Sequence, residues 1–343
     1  TILLIWFERK VVAGMQSRVG PDRAGPFGIL QTLADAIKLL LKEQILPSKA
    51  DRAMYLLAPL IALVPSFLIF MIIPLGPDIT VEWQNALYTI PLVGADLNVG
   101  VLYFLALSSI AVYSVVLAGW SSGSKYPLLG GVRASAQMIS YEAAMGLALV
   151  PVILYSGSLS LVDIVNSQSG NLSSSIPILN TIVSFIPKWN IFPQFVAFGI
   201  FFIAAVAEVN RAPFDLVEAE QELVGGFHTE YSGFRFAMFF LAEYINMFNM
   251  CAITATFFLG GWLGPTFEGI LPPIFSVIMP IVWLGVKTFL LLFVFVWIRA
   301  TLPRLRYDQL MELGWKRMIP LSLVWLIISA IVLGLREFGL PWS

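Results

Sequence analysis

Seven times along this chain a run of roughly twenty apolar residues is long enough, as a helix, to cross a bilayer. The runs are Ala53–Pro74, Gly100–Gly119, Ala134–Ser156, Phe192–Ala207, Arg235–Gly260, Pro273–Ile298 and Ile319–Leu335. The fourth is short, with Pro193 expected in its first turn. The opening TILLIWFERK reads as the end of one more span, the rest of which is expected to lie outside the chain. Hydrophobic residues make up 58% of the 343 and charged residues 12%. That is too much apolar surface for a single water-solvated core, so lipid must be the solvent for much of it. The expectation is an all-α polytopic membrane protein with eight transmembrane helices, the first truncated, forming a single membrane domain over 1–343.

The charges orient it. All basic residues except Lys188, Lys287 and Arg336 fall in four connecting segments, which alternate with segments nearly free of base. By the positive-inside rule the basic segments face the cytoplasm or its topological equivalent. Three of them stand out: 8–52, an acidic one at 208–234, and a basic one at 299–318. Within the first, Ile29, Leu30, Leu33, Ile37, Leu40 and Leu41 recur at helical spacing opposite Gln31, Asp35, Lys38 and Lys42. This predicts an amphipathic helix in the interface, preceded by Pro26 and ended by Pro47. The net charge of −1 gives no reason to expect nucleic acid. One cysteine, Cys251, allows no internal disulfide, and no Cys/His cluster could hold a metal or an iron–sulfur cluster.

Three ionisable residues fall inside spans. Glu142 and Glu243 each sit about eight residues from an inner helix end, roughly 12 Å deep. Lys287 lies nearer the middle of its span. Each is either a functional group or half of an ion pair that locks helices together. The segment AEVNRAPFDLVEAEQELVGGFHTEY places Glu208, Asp215, Glu218, Glu220, Glu222 and Glu230 around one arginine, Arg211. Asp215 with Glu218 fits a capping box for a short helix after Pro213, which Gly225–Gly226 would end. Such a cluster repels itself, so some members should hold protons near neutrality, as a proton path requires. The plainer alternative is a solvated acidic loop. His228 is either a relay or an ordinary hydrogen-bonded histidine. Arg299, Arg304 and Arg306 lie beside aromatic residues, where they either anchor the interface or bind a polar headgroup or partner.

Taken together, ERKVVAGMQSRVGPDRAGPFGILQTLADAIKLLLKE, GGVRASAQMISYE, AEVNRAPFDLVEAEQELVGGFHTEYSGFRFAMFFLAEY and WIRATLPRLRYDQLMELGWK resemble the 1/H-type membrane subunit of respiratory complex I, the proton-pumping NADH:quinone oxidoreductase. The likeness runs in order over nearly the whole chain. It implies eight transmembrane helices and a place in a bacterial cytoplasmic membrane. It implies contact with the peripheral-arm subunits that carry the terminal iron–sulfur cluster, with small and antiporter-like membrane subunits, and with lipid. It implies that quinone is the substrate, with no redox centre in this chain. By motif, Arg9, Asp35, Phe240, Arg299 and Arg304 would line or support the quinone chamber. Asp215, Glu218, Glu230, Glu208, Glu243 and Glu142 would form the carboxylate path that couples quinone reduction to proton translocation. The alternatives are the related membrane subunit of energy-converting hydrogenases, a secondary transporter, and a scaffold whose charges only hold partners.

Overall fold

In a computed structural model the chain is predominantly helical. The structure describes residues 1–83, 86–171, 187–215, 224–265 and 274–338. The helices are α1 (Ile2–Met15), α2 (Gln31–Leu41), α3 (Arg52–Met71), α4 (Gly100–Ser121), α5 (Lys125–Ser156), α6 (Leu161–Ser167), α7 (Phe195–Glu208), α8 (Gly233–Phe258), α9 (Ile274–Thr301), α10 (Tyr307–Glu312) and α11 (Ile319–Phe338). Among the described residues, six helical stretches are long and apolar enough to cross a membrane: α3, α4, α5, α8, α9, and the continuous run from Tyr307 through α11. The chain is therefore an integral, essentially α-helical membrane protein.

Each of the seven apolar runs contains a helix, but the ends differ from expectation. α7 has only 14 residues, about 21 Å of helix, and starts after Pro193 rather than around it. α5 begins at Lys125, nine residues before the apolar run, because KYPLLGGVR continues the helix beyond the lipid-compatible part. The basic segment after α9 is largely helical as well: α10 passes through a π-turn at Leu313–Met318 into α11. α2 stops at Leu41, ahead of Pro47, and Lys42 is already extended. Leu33, Ile37, Leu40 and Leu41 of α2 point away from the protein, as an interfacial helix requires. On the base-free side, β1 (Ile79–Trp83) and β2 (Ala86–Ile90) pair antiparallel, with Ile79 opposite Ile90. The hydropathy pattern carries no sign of this hairpin.

The helices pack as α3 on α4, α4 on α5, α5 on α7 and α11, and α8 on α3 and α9, while α1 lies against α9 and α2. Small residues line these seams. Ala197, Ala204, Ala205 and Ala207 of α7, Ala144 and Ala148 of α5, and Cys251, Ala252 and Ala255 of α8 are all buried. Lipid offers no hydrophobic drive for one helix to prefer another, so close backbone approach and dispersion contacts hold such seams together. Buried aromatics fill the wider gaps. Phe201 meets Phe257 and Phe258 edge-on or tilted, with ring centroids 6.1 and 5.6 Å apart. Cys251 is wholly buried in this core.

Lys287 is held by carbonyls rather than by an acid. Its ammonium donates to the carbonyls of Leu259 (2.6 Å), Gly261 (3.0 Å) and Leu263, and lies 4.3 Å from the Trp189 ring. It caps the carboxyl end of α8, where unpaired carbonyls and the helix dipole favour a cation. Among the described residues it forms no ion pair with a carboxylate.

Candidate functional site

The site lies where the amino end of α8, the carboxyl ends of α7 and α9, and helix α1 meet. The turn after α7 is held from three sides. Gln137 of α5, fully buried, donates to the carbonyls of Ala207 (2.8 Å) and Phe214 (2.9 Å) and to Asn210 Oδ1 (3.2 Å). The Leu305 amide donates to the Pro213 carbonyl (3.0 Å). Arg304 reaches Asp215 at 3.4 Å. The peptide bond before Pro213 is cis.

This turn places Arg211, only 4% exposed, inside the protein. Its guanidinium lies 2.7 Å from Glu243 and 3.2 Å from Glu8, and stacks 4.4 Å from the centre of the Tyr244 ring. Glu8 also pairs with Arg299. Burial alone would ease the proton off Arg211, but the charges of Glu243 and Glu8 outweigh it and raise its pKa, so it stays a cation. Thus α1, the α7–α8 turn, α8 and α9 are tied together by one chain of charges: Arg299, Glu8, Arg211, Glu243.

A cavity of about 660 Å³ opens beside this chain. Glu8, Arg9, Phe240, Tyr244 and Arg299 line it, with Gln16 and Arg18 further out. Of the five residues expected at a quinone chamber, Arg9, Phe240 and Arg299 line this one cavity. Asp35 stands one step behind. It pairs with Arg9 at 2.7 Å, accepts from Gln31 at 3.3 Å, and lies 3.9 Å from Lys38. Partial burial acts against its charge, but the Arg9 hydrogen bond and charge, helped by Gln31 and Lys38, hold its pKa below the usual aspartate value. Arg304 is turned to Asp215 instead and is not a lining residue.

On the far side of Phe240 lies a second, smaller cavity of about 80 Å³, which Phe240 also lines. Glu208, Asp215, His228, Glu243 and Asn246 face it. A third space, of about 10 Å³, adjoins it and shares Glu208 and Asn246. Ser108 of α4 donates to Glu208, and the next residue, Ser109, donates to Glu142 of α5. Of the six path residues expected from sequence, Asp215, Glu243 and Glu208 line one cavity, and Glu142 meets the serine next to the one that meets Glu208. The backbone carbonyl of Glu230 accepts from the Tyr55 hydroxyl at 2.7 Å. Tyr231 stacks on Tyr55 at 4.1 Å, and burial pushes its hydroxyl up to about 12. Glu218 and the helix expected after Pro213 lie outside the described residues. His228 packs against Phe227 and Phe236, with ring centroids 4.9 and 5.4 Å away. Arg306 pairs with Asp308 at the surface, away from the cavities.

Sequence reasoning passed over Glu8, Arg211, Tyr244 and Asn246 as site residues. Glu8 carried a signal: it is an acid directly after the apolar run TILLIWF. Its burial, at 4% exposure, is a property of the fold.

Residues 1–330 match the protein family described as NADH dehydrogenase. The chain is 51% identical over 332 residues to the H subunit of NADH-quinone oxidoreductase from Frankia alni, covering 96% of this chain and 68% of that one. It is 52% identical over 330 residues to an H subunit of the same oxidoreductase from Geobacter sulfurreducens, with 96% and 91% covered. It is 48% identical over 340 residues to an H subunit from Koribacter versatilis, with 97% and 92% covered.

Proposed function

This chain belongs to the NADH dehydrogenase family and is a membrane subunit of NADH:quinone oxidoreductase; from that membership we propose that its 660 Å³ cavity is the membrane part of the quinone chamber. We propose further that the carboxylates beyond Phe240 couple quinone reduction to proton translocation. Of the readings open at the sequence level, membership favours this one over the hydrogenase-type subunit and the transporter.

One observation carries the reading. The cavity that collects Arg9, Phe240 and Arg299 shares the Phe240 wall with the cavity that collects Glu243, Asp215 and Glu208. Reducing a quinone consumes two electrons and two protons. The electrons are assigned to a peripheral-arm partner that carries an iron–sulfur cluster. Protonation changes at the headgroup would be felt first by Glu8, which lines the cavity and contacts both Arg299 and Arg211. Arg211 also pairs with Glu243, so a change of charge on Glu8 alters how firmly Glu243 is held as an anion. Each later carboxylate responds to its neighbour, and Glu208 and Glu142 lie within Coulombic reach of one another.

We propose the finer assignments on the same membership. Counting α1 and α7 with the six long helices makes eight spans. The membrane is the bacterial cytoplasmic membrane. The partners are the peripheral arm on the basic side and the small and antiporter-like subunits within the bilayer.

The test is assembled complex in proteoliposomes, comparing Glu243→Gln and Glu142→Gln with wild type for quinone reduction and proton uptake. Loss of proton uptake with normal assembly is expected. Wild-type values for both activities in both variants would overturn the coupling role. Arg299→Ala should raise the KM for a short-chain quinone, and an unchanged KM would remove the chamber assignment.

A further inference from the structure

Asn246 lies three residues beyond Glu243 on α8, so the two side chains share a face, one turn apart. That face also carries Phe239, Phe240 and Ala242, and all five line the 80 Å³ cavity. Asn246 and Glu208 line the adjoining small space too, so these two residues stand at the junction between the cavities. Glu208 is 6% exposed. One of its oxygens accepts from Ser108, while the other, Oε2, is buried and meets no hydrogen-bond donor among the described residues. Asn246 Oδ1 is buried and in the same position.

Two buried acceptors on residues that line one cavity are a strong demand for a donor, because a desolvated oxygen without one costs about 1–3 kcal/mol. While Glu208 is an anion, neither oxygen can satisfy the other, since both are acceptors. Water supplies two donors and two acceptors. It occupies a polar space once roughly 10–15 Å³ is open to it and at least two partners are in reach. The 80 Å³ cavity exceeds that several times over and is edged by Glu208, Glu243, Asp215 and Asn246.

We propose that Asn246 is a positioning residue that holds a water between Glu243 and Glu208, and that protons cross between these carboxylates through it. One O–H of the water points to Asn246 Oδ1 and the other to Glu208 Oε2, which leaves a lone pair facing Glu243. When Glu243 carries a proton, it passes that proton to the water oxygen as the water gives its own to Glu208. The water is regenerated, Glu243 becomes the anion that Arg211 stabilises, and Glu208 becomes the acid. Without the Asn246 oxygen, the water loses the contact that aims its second O–H at Glu208. This inference deepens the carboxylate path proposed above and rests on it.

The experiment uses the assembled complex in proteoliposomes. Asn246→Leu fills the space without an acceptor, Asn246→Val does the same with less bulk, and Asn246→Ser keeps an oxygen. Glu243→Gln and Glu208→Gln are run in parallel. Asn246→Leu, or Asn246→Val if the first does not assemble, should lower proton uptake and coupled turnover roughly 10-fold, a modest share of what misplacing a reacting group can cost. It should also enlarge the rate difference between H2O and D2O, which a purely structural residue would leave alone. Asn246→Ser should recover to within about 2-fold of wild type. Wild-type proton uptake and solvent isotope effect in the apolar variants overturn the proposal, as does Asn246→Ser performing no better than they do. If the two Glu→Gln variants are inactive while the apolar Asn246 variants behave as wild type, only the role of Asn246 falls. If the Glu→Gln variants are themselves fully active, the carboxylate path falls and this inference with it.

Discussion

Arg211→Met tests whether the charge chain holds the inner ends of α1, α8 and α9 together. At 3.2 Å from Glu8, and with an effective dielectric of about 20, the attraction is worth about 5 kcal/mol before any cost of desolvation. The contact with Glu243 is closer still, at 2.7 Å. Removing the arginine also removes its own burial penalty, but it orphans two carboxylates, and a buried pair broken from one side typically costs about 3–5 kcal/mol. Glu8 keeps Arg299, which places the expected loss toward the lower end of that range. Glu8→Gln in the native background should cost less, about 1–2 kcal/mol, because Arg211 keeps Glu243 and Tyr244. In the Arg211→Met background the same change removes an under-compensated acid and should cost little or nothing. The double-mutant cycle should therefore show coupling of about 1–2 kcal/mol, a size seen between touching residues. Unfolding rates of the purified complex, followed by tryptophan fluorescence at fixed temperature, would express this as a departure of roughly 5- to 30-fold from additivity. Additive effects would refute the idea that Arg211 and Glu8 stabilise one another.

Lys287→Met should destabilise the outer end of α8 by about 1–3 kcal/mol, since three carbonyls lose their shared donor; hydrogen exchange at Leu259–Leu263 should accelerate, and unchanged exchange would refute the cap. Gly130→Ala should force α5 away from the turn at Gly226, because a Cβ there would sit 2.7 Å from the Gly226 Cα, backbone that cannot swing aside; the cost is about 1–3 kcal/mol, checked by thermal stability and by proteolysis after Phe227. Asp35→Asn should cost no more than about 1 kcal/mol, because the pair with Arg9 is partly exposed. Asp35 has a lowered pKa in the folded state, so its contribution is present above the ordinary aspartate value of about 3.9 and fades as the pH falls below it. A stability difference between Asp35→Asn and wild type that grew on acidification would contradict this sign.

Much of the architecture is legible in one dimension. Apolar run length is a local property set by bilayer thickness, so Gly100–Gly119 and Ile319–Leu335 mark their helices within a few residues. Helix ends are legible only where lipid dictates them. The water-side extensions, such as Lys125–Arg133 of α5 and Tyr307–Glu312, are set by packing on neighbouring segments, as where the Tyr141 hydroxyl reaches the Leu310 carbonyl at 2.9 Å. α7 is the case where the run was already short: Phe192–Ala207 yields a helix of 14 residues that starts only after Pro193.

The site divides the same way. Sequence determined that carboxylates would gather beside the ends of spans, because Glu142, Glu208 and Glu243 are costly in or next to lipid and stand out against apolar neighbours. Only the tertiary structure decided which charges meet. Glu8 is 203 residues from Arg211 and 291 from Arg299, and no periodicity reports on contacts at that separation. The same holds for Asn246, an unremarkable polar residue in the run EYINMFNM until α4, α5 and α7 close around it. Hydropathy sums over neighbours in the chain, whereas a buried ion pair or a wet cavity depends on neighbours in space.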